Sequence, residues 1–423
     1  MHKVMLAKRI PIIVFAFFLF STMAFSNAWY EVKLYSYIFL IFYAIYNARK
    51  RGIILAKQLL LLLPWYSYYS FSLLLGSSQG YLIDFELINN YFITPIAAIL
   101  LANIIDSDEK IRKVKLILII ISLLIIIINF VFIVNSIGRF NIEFFAGSAF
   151  GSVVVTDETI EFRSTSHPAL MFLLPYILVL YFFNEDNSNV ENKLISFTLI
   201  LAIVVVLLSG RRALQLVFAL TAVLTFLSHA CKMKKNYQKY DSIFKYFFAL
   251  CVAVAMLYYF AYFMEMDDII SSIANTFFSA FSTDNESGAI RLQQSRALLN
   301  GFLDSPIFGN GLNAFARTSL RSSENPWSYE MVYLALLFQT GIFGTVIFFT
   351  YIYKITLENF RLYNCSSRSN RNFFLAVFSG CISFVIAGSS NPMIYFIWFW
   401  AIATICFNHR FINKTPMVNS SYI

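Results

Sequence analysis

Two adjacent arginines, Arg211 and Arg212, interrupt an otherwise apolar run in the stretch LLSGRRALQL at residues 207–216. A guanidinium is a planar fork that grips phosphate or carboxylate through two parallel hydrogen bonds and keeps its charge beside lipid. Neighbours at a helix start point about 100° apart. One small ligand does not meet both forks head-on, whereas a pyrophosphate, or a ligand plus a carboxylate, does. Further on, AIRLQQSRALLNGFLDSPIFGNGLNAF carries Arg291 and Arg296, and YEMVYLALLFQTGIFG opens with a carboxylate, Glu330. A carboxylate placed beside a bound hydroxyl can act as a general base.

These residues sit in an unusually apolar chain. Of 423 residues, 59% are hydrophobic and only 13% charged, far from the balance of a soluble domain. Apolar stretches of the length that crosses about 30 Å of hydrocarbon recur from end to end. They fall near 10–28, 34–47, 55–75, 87–105, 114–134, 168–183, 193–209, 212–230, 245–264, 329–353, 373–388 and 391–407. The expectation is an all-α polytopic integral membrane protein of about 12 transmembrane helices, a single transmembrane domain over 1–423. The first stretch also has the basic flank and small-residue ending of a signal peptide, and is read as a retained span.

Short loops rich in Lys and Arg stay cytoplasmic. With the amino terminus inside, 23 of the 32 Lys and Arg fall in cytoplasmic segments and 9 outside. NARKRG, DEKIRKVK and CKMKKNYQKY all lie inside, and both termini are cytoplasmic. The basic balance is therefore a topology signal, and no nucleic-acid partner is implied. The inside cations are 15 Lys and 8 Arg; the outside ones are Lys33 and eight arginines: Arg139, Arg163, Arg211, Arg212, Arg291, Arg296, Arg317 and Arg321. Topology does not choose between cations, so this bias points to an outer face that binds phosphate. Anchoring to headgroups or pairing with outer carboxylates is the plainer account for any single one.

Two outer segments are long. Residues 135–167 form a loop ending EFRSTSHPAL, in which Pro168 biases His167 toward an extended conformation at the mouth of the next span. Residues 265–328 form the largest loop, with interfacial helices: apolar residues recur at helical spacing over 269–281, and a second helical pattern is stopped by DSP and a tight GNG turn. The lone GNG lacks the strand and βαβ setting of a nucleotide fold. None of the five cysteines falls in an outer loop, so no disulfide framework is implied. The four histidines are scattered, so no metal site is expected.

The motifs LLSGRRALQL, AIRLQQSRALLNGFLDSPIFGNGLNAF and YEMVYLALLFQTGIFG, in this order and on this side of a twelve-span chain, resemble the shared core of the O-antigen ligase and polymerase superfamily, over roughly residues 160–350. The resemblance implies a glycosyltransferase-C-like bundle with a long periplasmic loop between spans 9 and 10, in the bacterial inner membrane. It implies transfer of glycan from an undecaprenyl-pyrophosphate-linked oligosaccharide at the periplasmic face. It also implies a chain-length-regulating partner and no cofactor. Arg212 matches the arginine after the Ser-Gly element, where Arg211 replaces a small residue. Arg291 matches the arginine that opens the stretch leading to Pro306, Gly309 and Gly311. Arg163 resembles an arginine before an earlier span. Ligases of the family commonly carry a histidine shortly before the pattern formed here by Tyr333, Leu334 and Gly341, and this chain has Glu330 there.

On that resemblance the catalytic set is Glu330, Arg212 and Arg291. The pyrophosphate and glycan set adds Arg163, Arg211, Arg296, Arg317, Arg321, His167 and Tyr333. Loss of a lipid pyrophosphate builds negative charge that fixed arginines stabilise, each charge-assisted bond being worth roughly 1.5–3 kcal/mol. Glu330 would take the proton of the attacking sugar hydroxyl, with inversion at the anomeric carbon. The histidine-to-Glu330 replacement tilts the reading toward an O-antigen polymerase. An O-antigen ligase acting on lipid A–core is one alternative. A lipid-linked oligosaccharide flippase or transporter is the other, though repeats and polar midplane helices are not evident.

Overall fold

A computed structural model of the chain describes residues 2–49, 59–138, 142, 145, 150–155, 160–183, 188–211, 213–219, 221, 286–320, 325–389 and 391–408. It is mostly helical, and the chain is a membrane protein. Five helices among the described residues have the length and composition to cross a bilayer: Phe85–Ala102, Asp108–Ser136, Asn189–Leu208, Val332–Cys365 and Asn370–Ala387. Ile10–Ala24, His167–Phe182 and Ile397–Phe407 are apolar but shorter. Most of the expected spans 212–230 and 245–264, and the expected interfacial helix over 269–281, lie outside the described residues.

The chain divides into two compact units. The first comprises residues 1–37, 108–282 and 366–384. It contains α1 (His2–Ala24), α5 (Asp108–Ser136), the strands β1 (Gly151–Val155) and β2 (Ile160–Ser164), α6 (His167–Phe182) and α7 (Asn189–Leu208). The second comprises 38–107, 283–365 and 385–423. It contains α3 (Leu63–Ser78), α4 (Phe85–Ala102, with a π turn at Asn89–Ile93), α8 (Glu286–Asp304), α9 (Val332–Cys365) and α11 (Ile397–Ala403). Two further helices, α2 (Tyr30–Arg49) and α10 (Arg368–Ala387), contribute residues to both.

In the first unit, α5, α6 and α7 pack together with α1. Lys115 of α5, almost wholly buried, pairs with Glu191 of α7 at 3.5 Å; a charge at that burial persists only with such a partner. The loop expected at 135–167 contains an antiparallel hairpin, with Ser152 opposite Arg163 and Val154 opposite Glu161. This departs from the all-α expectation. The cause is VVV facing IEF across a short connection, β-branched and aromatic residues that suit a pleated ribbon better than a helix. His167 departs as well: it is already the first residue of α6, with Pro168 second. Two bonds pin the turn ahead of it, Ser164 N–H to His167 Nδ1 at 3.0 Å and Thr165 N–H to the Phe150 carbonyl at 2.8 Å, and they override the bias of a residue before proline.

In the second unit the defining feature is a break inside α9. Gly341 has φ +61° and ψ −167°, so the helix stops and restarts there. In an unbroken helix Ile342 and Phe343 would donate to the carbonyls of Phe338 and Gln339. The segment 306–311 takes over all four groups. Asn310 N–H donates to Phe338 O at 3.0 Å and Gly311 N–H to Gln339 O at 2.9 Å. Ile342 N–H donates to Pro306 O at 2.9 Å and Phe343 N–H to Ile307 O at 3.3 Å. The expected stop at DSP is where α8 ends, and the GNG turn is thus a plug for a helix break.

The fit leaves no room for a side chain. A Cβ on Gly309, whose φ is +73°, would lie 2.5 Å from the Gln339 carbonyl carbon and 2.5 Å from Gly341 N. A Cβ on Gly341 would lie 2.4 Å from Ile307 O. Gly80 also has positive φ, +89°, but open space around it. We expect Gly80→Ala to cost about 1–2 kcal/mol, the left-handed penalty alone. Gly309→Ala should cost clearly more, because backbone must also move. Thermal unfolding of the purified variants in one detergent tests the order; equal losses would mean the plug does not hold α9.

Candidate active site

Helix α8 carries Arg291, and its end runs into the 306–311 plug. Glu330 stands two residues before α9, the helix the plug fits. The interlock therefore fixes where these two elements lie against each other, and their side chains meet: Arg291 Nε donates to Glu330 Oε2 at 3.0 Å. The two residues lie 39 positions apart in sequence and come from separate motifs.

A small apolar cluster backs the pair. Leu298 of α8, Ala314, Ala316, Tyr329, Ala335 and Phe338 are buried together, with Met331 and Leu334 against them. The Phe338 ring lies so close to Gly301 that a Cβ there would meet it at 2.4 Å, which allows α8 and α9 their close approach. Tyr329 is buried beside Glu330 and its hydroxyl accepts from Ala316 N–H at 2.7 Å. Gln339 donates from its amide to the carbonyls of Ala314 at 3.1 Å and Trp327 at 2.9 Å. Trp327 Nε1 donates to Asp84 Oδ2 at 3.2 Å. The strand of chain that presents Glu330 is thus tied down on both sides.

The other expected site residues divide. Tyr333, on the first turn of α9, donates its hydroxyl to the Val385 carbonyl and so serves packing here. Arg296 and Arg317 are exposed and form no ion pair among the described residues. Arg212 and Arg321 lie outside the described residues.

Arg163, Arg211 and His167 belong to the first unit. The SGRR turn follows α7, and Phe162 N–H of β2 donates to Ser209 O at 2.9 Å. Gly210, φ +64°, is required there: a Cβ would lie 2.1 Å from Ile160 O. Arg163 is exposed and pairs with Glu161 on its own strand at 2.8 Å. His167 is 2% exposed. Around it Ser164 Oγ donates to Asn129 Oδ1 at 2.5 Å, and Asn129 Nδ2 donates to Ser166 Oγ at 2.8 Å. Burial first, and the nearby Arg211 guanidinium second, hold the imidazole well below the usual histidine range. With Nδ1 accepting from Ser164, the proton of the neutral ring resides on Nε2. Asn129, Ser164, Ser166, Tyr329 and Gln339 were not legible as support residues. Each is a common polar residue whose partner lies far away in sequence or on the backbone.

The fold is that of a polytopic membrane protein, and the geometry sets an arginine against a carboxylate at the edge of a broken helix. The sequence model of the O-antigen ligase family matches residues 197–349, about a third of the chain. This match is consistent with a member of the O-antigen polymerase and ligase superfamily, whose members are glycosyltransferase-like enzymes. No curated protein matches the chain.

The side chains of Arg291 and Glu330 are 44% and 29% exposed. An ion pair so open to solvent contributes about 0–1 kcal/mol to stability. Glu330→Gln and Arg291→Lys should therefore unfold within a few degrees of wild type while losing most of their activity. A large drop in the thermal transition of either would make the pair structural.

Proposed function

We propose that the chain is an O-antigen polymerase: at the outer face of the membrane it joins oligosaccharide repeat units carried on undecaprenyl pyrophosphate. The observation that carries this reading is the Arg291–Glu330 bond. A cation and a carboxylate delivered to one place by the two halves of an interlock supply what glycosyl transfer from a pyrophosphate needs. Arg291 offers forked hydrogen bonds to the oxygens that gain charge as the lipid pyrophosphate leaves. Glu330 takes the proton of the attacking sugar hydroxyl. In-line attack by that hydroxyl inverts the anomeric carbon. Arg212, matched to the family's arginine after Ser-Gly, is the second arginine we assign to phosphate binding. A chain-length regulator is the partner this reading calls for.

The ligase reading is favoured by the description of the matching family. Against it stands Glu330, where ligases of the family commonly carry histidine.

The test is the lipopolysaccharide banding pattern of a strain lacking the gene, complemented with wild type, Glu330→Ala, Arg291→Lys and Arg212→Lys. A polymerase predicts that the deletion leaves core capped by one repeat unit and that wild type restores the ladder. Glu330→Ala should not restore it. The two lysine variants should lose at least tenfold in long-chain product, because the charge stays but the fork is lost. Bare core in the deletion strain would indicate a ligase or an exporter. A full ladder from both lysine variants, at normal membrane levels, would remove the pyrophosphate clamp.

A further inference from the structure

Five residues beyond Gly210 of the Ser-Gly turn, Gln215 is only 9% exposed, and neither its Oε1 nor its Nε2 has a hydrogen-bond partner among the described residues. An unmatched buried amide costs free energy at both atoms, about 1–3 kcal/mol for each unsatisfied group. Its place is informative. Residues 213–219 are helical, and the N–H groups of Leu214 and Gln215 both donate to Arg211 O at 3.1 Å. Residues four apart share a helix face, and helical side chains lean toward the amino-terminal end. The Gln215 amide therefore leans back toward Arg211. On the other side of the turn, His167 is locked by Ser164 with its proton on Nε2, near enough to Arg211 to feel its charge.

Three chemistries thus flank one turn: a guanidinium, a fixed N–H donor, and an amide whose two N–H donors and carbonyl oxygen are unused. Phosphate oxygens at neutral pH accept hydrogen bonds, so a phosphate can accept from the Arg211 guanidinium, from His167 Nε2–H and from Gln215 Nε2, and leaves Gln215 Oε1 bare. That oxygen calls for a donor. We propose that Gln215 reads the sugar bonded to the pyrophosphate, pairing with a hydroxyl or acetamido group that both donates and accepts, while Arg211 and His167 hold phosphate oxygens. This rests on the donor assigned in the proposed function and adds to it a specificity residue for the first sugar.

The test is equilibrium binding to the full chain in lipid nanodiscs with two probes. One is undecaprenyl pyrophosphate without sugar; the other is the undecaprenyl-pyrophosphate-linked repeat unit isolated from the deletion strain. Gln215→Leu should weaken the sugar-bearing probe about tenfold, the worth of one or two lost hydrogen bonds, and leave the bare probe within twofold. Gln215→Met, unbranched and close in shape, should do the same and guards against a packing defect in the leucine variant. Equal losses for both probes, or no loss for either, would overturn the assignment of Gln215 and leave the donor reading standing. Wild-type protein that binds neither probe would overturn both.

Discussion

A backbone that leaves its helix inside a bilayer exposes polar groups that lipid cannot satisfy. At Gly341 four such groups come free at once, and the segment from Pro306 to Gly311 meets them with two N–H groups and two carbonyls in matching order. Nearby, Tyr68 of α3 donates its hydroxyl to the Thr340 carbonyl and Leu312 N–H donates to Ser72 O. The second unit is assembled around this reciprocal plug. Its consequence for chemistry is indirect and strong: α8 cannot shift along α9 without breaking bonds on both sides, so Arg291 and Glu330 stay within reach of each other.

The same device appears once more in the first unit. Gly210 lets the Ser-Gly turn lie flat on β2, and the bond from Phe162 N–H to Ser209 O fastens it. In both units the arginine-bearing segment is placed by glycine and backbone, and in the second the solvent-open Arg291–Glu330 pair itself adds little to stability. That division suits a phosphate-handling surface. The scaffold is rigid, and the Arg291 and Glu330 side chains remain open enough to exchange water for ligand.

How much of this was legible follows from which interactions are local. Hydropathy located the apolar helices of the described residues, because a span is set by the length of an apolar run, but not their ends: the helix expected over 329–353 runs to Cys365. The stop of α8 at Asp304 and the turns at Gly210 and Gly309–Gly311 were legible because glycine and proline act on their own backbone. The break at Gly341 was not: QTGIFG sits in an apolar run of full span length, and only the distant carbonyls of Pro306 and Ile307 make the break affordable. The β1–β2 hairpin leaves no mark in hydropathy, because strands of five residues are far shorter than an apolar run that spans a bilayer. Arg291 and Glu330 were named from residue type and motif order, but their bond depends on the plug, which no local pattern announces.

The match to the O-antigen ligase family spans 197–349. It therefore holds the Ser-Gly turn, Arg291, the plug, Glu330 and the break that the plug fills. It leaves out β2, on which the turn is laid, and α3, where Gly76 lies so near Gly311 that a Cβ on Gly311 would meet its Cα at 2.2 Å. The matched third thus contains the Arg291–Glu330 pair and the glycines that place its segments, while two of the surfaces those glycines lie against, β2 and α3, fall outside it. A receiving surface need only offer a carbonyl or an N–H at the right spot, and any sequence with the right backbone offers that.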